Sequence, residues 1–124
     1  MEFIIKLIFL LNISLILIHE MDAIRKKEWR MFIILNKLDD EIAYKIFTIA
    51  HLPLYMAAFY FMIYNQENIL TIYIVSDVLF ILHMLVHGLF YKHKRNEYKN
   101  IFSLVVINAL GISGGVHLLL SLMK

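Results

Sequence analysis

The chain has 124 residues, 61% of them hydrophobic, with 12 basic and 10 acidic side chains and a net charge of +2. That apolar share exceeds the roughly 45–50% of a soluble domain, so lipid is the expected solvent for much of the surface. The absence of cysteine excludes disulfides, thiolate metal sites and cysteine nucleophiles. Basic residues gathered at span ends, with no exposed basic stripe, speak against a nucleic-acid partner.

About 20 predominantly apolar residues cross a bilayer as a helix. The first such run covers about 3–24. Its leading residues hold Glu2 and a single Lys6, and no small-residue cleavage pattern follows, so it reads as an uncleaved span rather than a signal peptide. Residues 25–41 hold five bases and an apolar patch of Trp29, Phe32, Ile33 and Leu35. This composition predicts an interfacial helix with Trp29 at headgroup level. The second span covers about 42–64, with Pro53 read as a kink inside it. The third covers about 68–91 and the fourth about 100–123. Between spans two and three, residues 65–68 hold no base, whereas 92–99 hold Lys92, Lys94, Arg95 and Lys99. The expected fold is all-α: one transmembrane domain over 1–124, an antiparallel four-helix bundle with short connections. With both basic connections cytoplasmic, the two termini lie outside the cytoplasm, in an inner (plasma) membrane.

Ionisable groups inside such spans are functional candidates by default. At 1.5 Å per residue from the cytoplasmic ends, His51 lies roughly 13 Å deep, His83 about 12 Å, His87 about 6 Å and His19 about 7 Å. His117 lies about 26 Å away, near the outer side. Helical facing groups Asn12, His19 and Asp22 on span one, with Glu20 at the next edge. Span two carries Tyr44, Thr48, His51 and Tyr55 on one stripe. Span three carries Ser76, His83 and His87, flanked by Asp77. His83 and His87, at i and i+4, can grip one metal ion, and His51 would supply the third nitrogen. Three protein ligands and an open position are the catalytic zinc arrangement. Asp22 or Glu20 would then act as base or fourth ligand, and His19 would orient a carboxylate or donate to the substrate. The expected activity is hydrolysis of a lipid-borne bond, with Zn²⁺ as cofactor and membrane lipid as partner.

Blander readings stand beside this one. His19, Glu20 and Asp22 could be a solvated helix end paired with Arg25 and Lys26. Tyr55, Tyr60, Tyr64 and Tyr91 could anchor the interface. His93 sits in a basic connection, and His117 could hydrogen-bond Asp77 across the bundle. The stripes could also belong to a non-enzymatic packing module, or His51 with His83 or His87 could ligate haem. On span four, Asn108 shares a face with Gly111 and Gly115, a pair that could mediate homo-oligomerisation. A transporter is disfavoured, because four spans without inverted repeats make too small a pathway.

The stretch His19-Glu20-Met21-Asp22-Ala23-Ile24, followed by Glu28-Trp29-Arg30-Met31-Phe32, resembles the opening signature of a family of small, uncharacterised bacterial multi-pass membrane proteins. It is more distantly similar to an uncharacterised membrane family with an H-x-x-E-E motif, of which Asp22 keeps one carboxylate and Ala23 lacks the other. The resemblance implies the four-span layout and importance for His19 and Asp22, with no activity to carry over. Ser76, Asp77, His83 and His87 also look like elements of the zinc site in membrane hydrolases that include alkaline ceramidases. Those enzymes have seven spans, so this likeness is of chemistry and not of descent.

Overall fold

The structure is a computed structural model, and it describes residues 1–123. Four helices make an all-α bundle: α1 (Glu2–Arg25), α2 (Asp40–Tyr64), α3 (Ile69–Leu89) and α4 (Ile101–Leu122). Each is long and apolar enough to cross a membrane. At 21 to 25 residues they measure about 32–38 Å, against a hydrocarbon core of about 30 Å. A helix satisfies its own backbone groups, which is what an apolar run in lipid requires. Side chains set two of the starts. Asp39 Oδ1 accepts from the backbone N–H of Glu41 (3.0 Å) at the start of α2, and Asn100 Oδ1 accepts from that of Ser103 (2.9 Å) at the start of α4. Helix α2 runs unbroken through Pro53.

Three helices form the packed body. Helix α4 lies between α1 and α3 and runs antiparallel to both. Its register on α3 pairs Gly111 with Met84, Gly114 with Phe80 and His117 with Asp77. Its register on α1 pairs Ser103 with Asp22 and Ser113 with Asn12. Helices α1 and α3 are therefore parallel, and Phe9 meets Tyr73 at one end while His19 meets His83 at the other. The two glycines of the expected oligomer face divide. Gly111 is buried against Met84, whereas Gly115 has open space where a Cβ would stand. Asn108 is exposed and donates to its own helix, at Leu104 O (2.7 Å). Outward faces are apolar: Leu10, Met56, Leu79 and Val105 are each more than half exposed, as expected of helices bathed in lipid.

Helix α2 is held differently. Only Ala43 and Phe47 are buried along it, and both lie near its first turns. Farther along, it meets the body at His51 on Glu20 and at Met62 on the Ile5, Phe9, Ile72 and Tyr73 cluster, with an apolar cleft of about 1150 Å³ between it and α1/α3.

The segment before α2 corrects the expectation of an interfacial helix. It forms two short 3₁₀ turns, Glu28–Met31 and Leu35–Lys37. Trp29 is buried against the protein. Its indole packs on Tyr44 and Phe47, and its Nε1 donates to Asp40 Oδ1 at 2.9 Å. Asp40 also receives Lys27 Nζ at 2.8 Å and Arg30 Nε at 2.9 Å. Three donors on one carboxylate fold the segment back on itself and stop it from continuing as a helix.

Candidate metal centre

At the end of α1 the chain turns at Lys27, whose φ of 53° lies in the left-handed region that favours glycine. The turn sends Glu28 back toward the last turns of α1, with its Oε2 3.7 Å from His19 Nε2. From α3, one helical turn apart, come His83 and His87. His83 Nε2 lies 2.7 Å from His19 Nε2, and His87 Nε2 lies 3.6 Å from Glu28 Oε1. His19, Glu28 and His87 are buried and His83 is half-buried. Taken together, one ligand atom from each of the four residues falls within 4.8 Å of the others. Ligands about 2.0–2.2 Å from a common ion lie a little over 3 Å from one another, and with separations from 2.7 Å to 4.8 Å this set could hold one metal ion after small side-chain shifts.

The carboxylate has its own support. Tyr98 donates to Glu28 Oε2 at 2.7 Å, and Asn96 Oδ1 accepts from the Tyr98 backbone N–H at 2.8 Å. Burial pushes the Glu28 carboxyl up to about 7, against an opposing pull from the Tyr98 hydrogen bond. Burial, with the Glu28 charge beside it, also pushes the Tyr98 hydroxyl up, so it remains a donor. A cation at this position would relieve the burial cost of the carboxylate.

The other residues singled out in the sequence fall in three places. His51 lies outside the four. Its Nδ1 donates to Phe47 O at 2.7 Å, and its Nε2 is 3.0 Å from Glu20 Oε2. The two rings of the haem alternative, His51 with His83 or His87, therefore have different partners. Asp22 accepts a hydrogen bond from Ser103 Oγ of α4 and is not among the four clustered residues. His117 Nδ1 and Asp77 Oδ2 form the expected bundle pair at 2.6 Å, both fully buried. Ser76 lines the cleft, as do Glu20, Glu28, His51 and His83. One end of the apolar cleft thus carries two carboxyls and two imidazoles, including two of the four members of the cluster.

Glu28 and Tyr98 escaped the reading by spans, because both lie in connections. The one available signal for Glu28 was its position as a lone acid in the basic run Arg25-Lys26-Lys27-Glu28-Trp29-Arg30.

The sequence model of a protein family described as "Family of unknown function (DUF6713)" matches residues 5–124. No curated protein and no solved structure matches the chain. The chain belongs to that family, as a small helical protein with four membrane-length helices and a buried histidine–glutamate cluster.

Proposed function

We propose that this protein is a membrane-embedded, metal-dependent hydrolase of a lipid-borne substrate, in which His19, His83 and His87 hold a Zn²⁺-class ion and Glu28 is the base. The observation that carries the reading is the convergence of three imidazoles and one carboxylate within 4.8 Å at the mouth of an apolar cleft. An ion held there supplies Lewis acidity and makes water acidic near neutral pH. In hydrolysis the oxygen of water bonds to an electrophilic carbon, and the bond from that carbon to an alcohol or amine breaks. Glu28, whose carboxylate a neighbouring cation would keep ionised, would take a proton from the water.

His51 and Glu20 supply the complementary group. The Phe47 carbonyl can only accept, so His51 Nδ1 must carry a proton toward it. The contact between Nε2 and Glu20 Oε2 at 3.0 Å then requires a second proton between those atoms. The pair faces the cleft loaded with a proton for the leaving oxygen or nitrogen.

The nine bases of residues 25–41 and 92–99 favour a cytoplasmic position for the connections around the cluster, and put both termini outside the inner (plasma) membrane. Reporter fusions after Gln66 and after Lys94 test this, with opposite-side signals expected.

Element analysis of detergent-purified protein tests the metal reading, with about one zinc-class ion per chain expected. Glu28→Gln should retain more of the ion than His83→Ala, while losing hydrolysis of a lipid ester. Wild-type protein that carries no metal and gains none on titration would overturn the proposal.

A further inference from the structure

We infer that the cleft between α2 and the α1/α3 pair binds one acyl chain of a lipid, with an acyl ester or amide carbonyl at the Glu28 and His83 end. Chain binding stands on the cleft itself, whereas the bond cut at its end rests on the hydrolase reading above.

The cleft is built along one face of α2. Phe47, Ala50, Leu54, Ala57, Ala58 and Phe61 line it, at the three- and four-residue spacing of a single helix face. Three of these are alanines, which leave room where larger side chains would close α2 onto the body. The lining continues to Asn65. The 15 residues from His51 to Asn65 span about 21 Å, from near the middle of α2 to its far end, a length greater than the roughly 15 Å of one hydrocarbon leaflet. A chain lying in the groove is therefore sheathed by protein along its whole length.

Depth fits the same occupant. His19 and His83 each lie six residues, about 9 Å, from the connection-side ends of their helices, and His87 about 3 Å. Those ends stand at or slightly beyond the edge of a hydrocarbon core of about 30 Å. The cluster therefore sits in the outer part of one leaflet, near the level where acyl chains join their headgroups.

A second copy of the chain is the competing occupant, and the polar end disfavours it. Glu20, Glu28, His51 and His83 all face the cleft. An apolar helix packed there would take these four groups, already paired as Glu20 with His51, Glu28 with Tyr98 and His83 with His19, further from water and bring no polar group of its own. A lipid brings a carbonyl to that end and hydrocarbon to the rest. Access needs no water-filled route, since between its holds at Phe47 on Trp29, at His51 on Glu20 and at Met62 on the α1/α3 cluster, α2 leaves the lining alanines uncovered. The groove opens sideways into lipid.

The test uses full-length protein in phosphatidylcholine nanodiscs, titrated with stearic acid carrying a mid-chain nitroxide. A saturable, motionally restricted spectral component is expected for wild type. It should be lost when Ala57→Trp and Ala58→Trp together fill the groove, and kept in Met56→Trp, which faces lipid. Ala50→Trp is the second filling variant, so that one misfolded protein does not decide the outcome. The proposal is overturned if wild type shows no saturable component or if both filled variants keep it. It also falls if wild type is a dimer that the filled variants turn into monomers. Metal content of the same samples separates the two claims: a metal-free protein that still restrains the chain removes the hydrolase reading and supports the chain site.

Discussion

The bundle holds two buried polar centres, and they are built on opposite plans. At the connection end, His19, His83, His87 and Glu28 bring four possible ligand atoms within 4.8 Å of one another, and His83 and Glu28 also face the cleft. Deeper in the bundle, His117 is matched to Asp77 one donor to one acceptor at 2.6 Å, with both side chains fully buried. Ser113 is matched in the same way to Asn12 across α1 and α4. The direct pairs hold helices in register, each through one contact, with Asp77 Oδ1 and His117 Nε2 buried beyond it. The clustered groups come from two helices and a connection and meet as a set of four. Ionisable residues at membrane depth thus divide by how their atoms are aimed as well as by how deeply they lie.

The sharpest way to break this comparison is to remove one member from each centre and read the metal. His83→Ala should reduce bound metal from stoichiometric to background, and Asp77→Ala should leave it unchanged. Equal loss in both would mean that the two centres are one device. Thermal unfolding in detergent reads the converse. Asp77→Ala leaves His117 buried without its partner and should cost about 3–5 kcal/mol, whereas Asp77→Asn keeps the hydrogen bond and should cost far less.

A pH series sharpens the contrast further. The Glu28 carboxyl is raised to about 7 from an ordinary 4.5, so between those values the folded, metal-free protein holds a proton that the unfolded chain has released. The Glu28 contribution, read as metal-free wild type minus metal-free Glu28→Gln, should therefore be full below about 4.5 and should fall as pH rises to about 7, by roughly 3 kcal/mol in total. Metal should cancel this fall, because it favours the ionised carboxylate. A difference between the two proteins that is flat from about pH 4.5 to 7.5 would show Glu28 to be better solvated than its burial implies.

The smallest effect concerns the helix contact that supports both centres. A Cβ on Gly111 would stand 2.5 Å from Met84 Cβ, while one on Gly115 would meet nothing within 4 Å. Gly111→Ala should cost about 1–3 kcal/mol in thermal unfolding. Gly115→Ala should be neutral or slightly stabilising, from helix propensity. Equal effects would point to an external partner covering Gly115.

The four helices were legible because apolar runs of bilayer length leave few other solutions. The His83 and His87 pair was legible from helical spacing, and the Asp77 and His117 pair from the need of a buried acid for a partner. His51 shows what depth and facing omit. It stands on a polar stripe at a depth close to that of His83, yet α2 is displaced sideways, and Glu20 is what it meets at 3.0 Å. Height along a helix is written in residue number, but lateral distance between helices is set by how side chains across the whole interface pack. Glu28 was illegible for a related reason. Its position depends on the left-handed turn at Lys27 and on Tyr98, 70 residues away. Trp29 looked like an interface anchor because its partner Asp40 was counted only as part of the 25–41 connection.

The placement of α4 bears on the order in which this molecule is made. His19 and Glu28 leave the ribosome early, His83 and His87 much later, and the helix that packs against both α1 and α3 comes last. Until Ser103 reaches Asp22 and Gly111 reaches Met84, little holds the first and third spans in register. The four converging side chains are thus a late product of membrane insertion, and an ion captured among them would mark a finished molecule.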